Sequence, residues 1–253
     1  MAGDSLIWCE RGGEGGPCLI LLHGLGANGA VWDEFKPILD RSWGRKWLIP
    51  DFRGHGRSPH RAPYGIGVHA ADVAALLEQD EEAVVVGHSM GGVVAIALAT
   101  GLFGIKGKKA VAFSVKTQWT EDDYARGEAM ARSPAKLFDT RAEAIERYLR
   151  VSGLTGLTSA TSAMAAAGVT EHNGKYRLAA DPRAFALGRP NFSLLAKASL
   201  APLRLLCGDK DGVASPEGMK SLGGEVTVLP GAGHNVQVEA PEILWNAIKS
   251  ELT

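Results

Sequence analysis

Cysteine is scarce: Cys9, Cys18 and Cys207 are the three in 253 residues. The number is odd, each lies in or beside an apolar run, and none forms a C-x-x-C pair. That pattern argues against a disulfide framework or a thiolate metal site and for small buried hydrophobes. Charge of one sign is equally lacking, with 27 Lys and Arg against 28 Asp and Glu for a net charge of −1. No basic footprint exists for nucleic acid or an anionic membrane surface, so the expected partners are small molecules, with no nucleic acid and no membrane. One stretch without charge, Val151 to Thr170, carries nine Ser, Thr and Gly before its final threonine and is too polar to span a bilayer. The start, MAGDSLIWCERGGEGG, lacks the basic beginning, long apolar segment and small-residue cleavage site of a secretory signal, which leads to the expectation of a cytoplasmic protein. No histidines cluster at metal-ligand spacing, and neither a metal nor a cofactor is expected. Internal repeats and low-complexity tracts are absent too.

What is present is enough apolar residue, 45% against 22% charged, to bury a large core as one domain with an insertion. Short branched apolar runs alternate with helical patterns. CLILLH precedes a helix near 31–39, KWLIPDF one near 68–79, and EAVVVGH one near 93–102; AVAFSV, PLRLLCG, EVTVLPG and a last helix over 241–252 follow. Continuous apolar strands separated by helices predict an α/β fold, a mostly parallel central sheet with helices on both faces. SLIWCERG is expected to add an antiparallel edge strand.

The alternation breaks between Lys116 and Leu200. Thr140 with Glu143 forms a capping box ahead of a helix, and His172-Asn173-Gly174-Lys175 predicts a tight turn between two short strands. The core is therefore assigned to residues 1–116 and 201–253, and 117–200 to an inserted, mainly helical lid. Residues 117–150 are dense in charge and are expected to face water, whereas 151–170 are expected to meet an apolar surface.

Two glycine motifs carry the chemistry. LILLHGLGANGAVW places Gly24, Gly26 and Gly29 as G-x-G-x-x-G after a strand, with Asp51 near the position of a ribose-binding acid. VVVGHSMGG places Ser89 between Gly87 and Gly91 at a strand-to-helix junction, the context that G-x-S-x-G requires. The competing reading there is a glycine-rich turn with a serine cap. A nucleophilic serine needs a base and the base an orienting acid, all at strand C-termini. His234 follows one strand, and Asp209 and Asp211 follow another. His23 and His88 flank the site and are expected to shape its loops; His55 falls in a turn, and His60, His69 and His172 are expected at the surface or in the lid.

Taken together, HGLG at 23–26, DFRGHGRS at 51–58, GHSMGG at 87–92, GDKD at 208–211 and GAGH at 231–234 resemble the α/β-hydrolase superfamily over nearly the whole chain. The resemblance implies the triad Ser89, Asp211 and His234, with Asp211 favoured over Asp209 by its spacing from Gly208. It implies an oxyanion hole from the amides of Leu25 and Met90, and makes Asp51 part of a hydrogen-bonded turn, not a ribose ligand. The implied activity is ester hydrolysis through an acyl-enzyme. Lactone, thioester and carbon-carbon hydrolysis use the same triad, and a ligand receptor on this fold is the non-enzymatic alternative. A serine nucleophile argues against the dehalogenases and epoxide hydrolases of similar fold, which use aspartate. For specificity, Leu154, Leu157 and Met164 share helical spacing. They could line an apolar roof over Ser89 or merely pack the lid down.

Overall fold

The computed structural model describes residues 6–252. Nine strands occur among them: β1 (Cys9–Gly12), β2 (Cys18–Leu22), β3 (Trp47–Pro50), β4 (Glu82–His88), β5 (Lys106–Phe113), β6 (Val169–His172), β7 (Lys175–Leu178), β8 (Leu203–Gly208) and β9 (Val226–Leu229). Seven form the central sheet in the order β1-β3-β2-β4-β5-β8-β9. β1 runs antiparallel to β3 and every other pairing is parallel. The beginning of the expected edge strand, at Ser5, lies outside the described residues.

Alternation along each strand divides the core in two. Leu19, Leu21, Val84, Val86, Val111 and Phe113 face one layer, with Trp32, Phe35 and Trp245. Ile20, Leu22, Val85, Ala110 and Ala112 face the other, with Val73 and the helix Met90–Ala99. Because both faces are covered, β2 is buried along its full length, as expected for a parallel strand between helix layers. No helix among the described residues is long and apolar enough to cross a membrane.

Helix boundaries moved from the sequence reading. The first helical run begins at Gly29, where the Asn28 side chain accepts from Ala30 N, and passes from 3-10 through a short α turn into a π turn ending at Trp43. The next spans Ile66–Ala74 and turns His69 inward with Ile66, Ala70 and Val73. His69 is thus buried, not at the surface, with its ring 5.0 Å from that of Phe52.

Between β5 and β8 the chain leaves the sheet and returns. The insertion contains helices Glu121–Arg132, Arg141–Val151, Ala163–Ala167 and Phe192–Lys197, plus the β6/β7 hairpin around Asn173 and Gly174. Helix Glu121–Arg132, not anticipated from sequence, buries no residue; Thr120 and Asp123 cap it reciprocally. Helix Arg141–Val151 instead buries Ala144, Ile145, Tyr148 and Leu149, so the charged part of the insertion is only half solvent-facing. The uncharged stretch is corrected in the opposite sense. Thr155, Gly156, Leu157, Ser159 and Thr161 are exposed, because residues 152–162 run in tight turns, as in Ser159 Oγ accepting from Thr161 N, before Ser162 caps the helix Ala163–Ala167. Side-chain bonds tie the insertion down, two of them beside the loops that follow β2 and β9. Asn28 Nδ2 donates to Tyr148 Oη at 2.8 Å, and Asn235 Nδ2 to the Gly153 carbonyl at 3.1 Å.

Candidate active site

The C-terminal ends of the parallel strands deliver the candidate side chains. β4 ends at His88, and Ser89 turns at φ 51° and ψ −115° before the helix Met90–Ala99. A non-glycine residue in the left-handed region is strained by about 1–3 kcal/mol and must be held there. Its neighbours show how. A Cβ on Gly87 would lie 2.1 Å from the Gly91 carbonyl oxygen, and one on Gly91 2.6 Å from that of His23. Only bare backbone lets β4, the following helix and the His23 loop approach so closely. Ser89 N donates to the Phe113 carbonyl at 2.9 Å, fixing the turn to β5.

His234 follows β9, and its Nδ1 lies 3.0 Å from both carboxylate oxygens of Asp211, beyond the end of β8. The Asp211 side chain is fully buried and also accepts from the amides of Val213 and Ala214 at 2.8 and 2.9 Å. Burial pushes its carboxyl up, but the His234 bond and charge and the two amides outweigh it and hold the group at about 2. Asp209 turns elsewhere, accepting from Gly231 N at 2.7 Å. His88, buried at the base of the site, packs its ring 4.7 Å from that of His234.

Ser89, Leu25 and Met90 line one cavity of about 200 Å³, closed on the insertion side by Trp119, Tyr124, Val151, Phe185, Leu187 and Phe192. Among the described residues, the Leu25 and Met90 amides donate to no protein acceptor. Both are free to meet an oxygen in the cavity. Lys116, the cation in the lining, is engaged by Asp123 at 2.8 Å.

Leu154, Leu157 and Met164 do not line this cavity. Leu154 and Met164 are buried in the core and Leu157 is 37% exposed, because the chain between them is a series of turns and not one helix. Sequence reasoning missed the actual roof, Phe185 and Val151. One signal existed: Gly26 sits at φ 75° in HGLG, and a Cβ there would come within 3.1 Å of Val151 and 3.2 Å of Phe185.

The G-x-G-x-x-G loop does local work. Asp51 accepts from Gly29 N at 2.6 Å and from Arg57 through N, Nε and Nη2 at 2.8, 2.7 and 3.0 Å, which engages both carboxylate oxygens. His23 bridges its own loop to β3: Nδ1 is 2.8 Å from the Gly24 carbonyl, so it donates, and Nε2 accepts from Phe52 N at 3.0 Å. Burial lowers its pKa, consistent with a neutral ring. No group of three or more His, Cys, Asp or Glu among the described residues is arranged to hold a metal ion.

Residues 19–247 match a protein family described as "Alpha/beta hydrolase family". A lipase of Mycobacterium tuberculosis is 41% identical over 93 residues, covering 36% of this chain and 34% of the lipase. The dihydrolipoyllysine-residue acetyltransferase component of the acetoin cleaving system of Pseudomonas putida is 28% identical over 96% of this chain and 65% of its own length. The chain thus spans from about a third to just under two thirds of these relatives. Among solved structures, E-2-(acetamidomethylene)succinate hydrolase superimposes with a TM-score of 0.78 at 22% identity, over 96% of this chain and 94% of the other.

Proposed function

The chain belongs to the alpha/beta hydrolase family, and on that premise we propose that it is a serine hydrolase cleaving carboxylic esters. The observation that carries the reading is the meeting at one sheet edge of a strained serine, a histidine hydrogen-bonded to a buried carboxylate, and two undonated amides around a mostly apolar cavity. Ser89 Oγ attacks the acyl carbon while its proton passes to His234 Nε2. The carbonyl oxygen becomes an oxyanion that accepts from Leu25 N and Met90 N. Collapse breaks the acyl–oxygen bond, and His234 returns the proton to the leaving alcohol. Water then repeats the sequence on the acyl-Ser89 ester, releasing acid and free serine. Asp211 holds the imidazole with Nδ1–H toward itself and stabilises the imidazolium.

Apolar lining supports a substrate with an apolar acyl or alcohol part, and residues 117–200 act as its lid. Free thiols at Cys9, Cys18 and Cys207 fit a cytoplasmic setting. Several curated relatives carry ester-hydrolase names, including a pimeloyl-[acyl-carrier protein] methyl ester esterase of Aeromonas hydrophila that is 44% identical over 92 residues. The test is labelling by a fluorophosphonate together with turnover of a graded ester panel beside lactones and thioesters. Labelling and ester turnover that both vanish in Ser89→Ala are expected. A wild-type protein that neither labels nor turns over any of the three would leave a receptor, not an enzyme.

A further inference from the structure

Val151 and Phe185 face two cavities at once. Behind the pair, within the insertion, lies a second cavity of about 420 Å³, twice the size of the one at Ser89. Met130, Phe138 and Leu178 give it an apolar wall, while its charged lining residues are Arg126, Lys136 and Arg147, with no carboxylate.

Nearby acids are already occupied. Asp123 bonds Lys116 and Arg126, Asp139 pairs with Lys175 at 2.8 Å, Glu146 pairs with Arg150 at 2.8 Å, and Glu143 closes the cap on Thr140. Arg126 is neutralised by its partner. Arg147, half-buried on helix Arg141–Val151, has neither an ion pair nor a hydrogen bond to any described residue. Lys136 lies over the Phe138 ring at 5.2 Å and likewise lacks a carboxylate partner among the described residues. Two cations without an ion pair beside a partly open, mostly apolar hollow attract an anion whose chain can fill that space, and a guanidinium grips a carboxylate or phosphate with two parallel bonds.

We propose that this second cavity is a subsite for the far end of the substrate, and that the end it takes is an anion, carboxylate or phosphate, held by Arg147 and Lys136. The proposal rests on ester hydrolysis at Ser89 and names its substrate class: esters whose apolar chain passes Phe185 and Val151 and ends in a negative charge.

Binding tests it without requiring turnover. Ser89→Ala protein is titrated calorimetrically with methyl alkanoates of graded length, the monomethyl esters of dicarboxylic acids of equal length, and their ω-phosphate analogues. At one range of lengths the anionic ligands should bind on the order of tenfold more tightly than the neutral ones, with carboxylate and phosphate arms separating the two sources of charge. Adding Arg147→Gln should remove that preference and leave the neutral Kd unchanged, while Arg147→Lys should keep part of it. If Arg147→Gln fails to fold, Lys136→Gln and the salt dependence of the preference in Ser89→Ala protein serve instead. Equal affinity for neutral and anionic ligands at every length overturns the proposal, as does a preference that survives loss of both cations. Turnover of neutral esters by the wild-type protein judges the chemistry at Ser89 separately.

Discussion

Acidification should unfold this protein over a narrow window, and buried histidines set the size of the effect. His55, His69 and His88 are each at most 3% exposed. Burial first, with His23 and Arg53 adding to it, pushes His69 down to about 3; burial and neighbouring histidines push His55 well below the ordinary value, and burial with His234 does the same to His88. Both ring nitrogens of His69, and Nε2 of His55 and His88, lack a hydrogen-bond partner among the described residues, so nothing on the protein side compensates a proton there. Folded-state values lie below the unfolded value of about 6.5, so the folded protein keeps these rings neutral while the unfolded chain binds protons. Stability is therefore complete above about pH 6.5 and falls as pH drops below it, by up to about 1.4 kcal/mol per pH unit for each ring. By pH 5.5 the three together withdraw about 4 kcal/mol, a large part of the 5–15 kcal/mol typical of a domain. Asp211 and Asp181, both held at about 2, stay ionised across the window and add no slope. Urea unfolding followed by circular dichroism at pH 7.5, 6.5 and 5.5 measures the effect. His69→Phe, which keeps the packing on Phe52, should lower the slope by roughly a quarter to a third, since buried His23 is also kept neutral in the folded protein. Stability that is flat from pH 7.5 to 5.5, or a slope unchanged in His69→Phe, would refute the reasoning.

Other expectations follow from the site. Ser89→Ala should lower ester turnover by about 10⁴-fold or more with little change in Tm, and a variant retaining half the activity would remove Ser89 as nucleophile. Asp211→Asn should abolish most turnover and Asp209→Asn spare it, since only Asp211 reaches His234; the reverse result in kcat would reassign the acid. Phe185→Ala should open the wall between the two cavities and shift kcat/KM toward longer acyl chains by about 1–3 kcal/mol, whereas Leu157→Ala, half in solvent, should leave the chain-length profile alone. Tyr148→Phe removes the bond to Asn28 and should cost about 1 kcal/mol in chemical denaturation.

Much of the molecule was legible in sequence because two periodicities do not compete. Five-residue apolar runs such as CLILL admit one solution, a strand buried on both faces, and their spacing by helices fixes a parallel sheet. Around Ser89 the glycines state their own reason, since Gly87 and Gly91 mark where backbones touch. The insertion was read less well. Freedom from charge over 151–170 suggested burial, yet small hydroxyl residues avoid charge in exposed turns just as well. Leu154, Leu157 and Met164 fit a helical period that the chain never adopts. Phe185 and Val151, which line the cavity on the insertion side, sit on unrelated elements and both lie against Gly26, a coincidence of tertiary packing that no local pattern encodes. Likewise the capping box at Thr120 uses Asp123 in place of the more usual Glu or Gln, and the helix behind it carried no apolar stripe to announce it.

The Tyr148–Asn28 and Asn235–Gly153 bonds bear on recombination between relatives. Tyr148 fills a place at the start of the helical run after HGLG, and Asn235, next to His234, reaches back to the turn after helix Arg141–Val151. Residues 117–200 are consequently not an interchangeable cassette. A chimera that imports another insertion leaves the Nδ2 groups of Asn28 and Asn235 without their acceptors, one beside each half of the candidate site. Successful grafts will be those that carry a tyrosine and a turn carbonyl at the matching places, or that redesign both asparagines along with the donor segment.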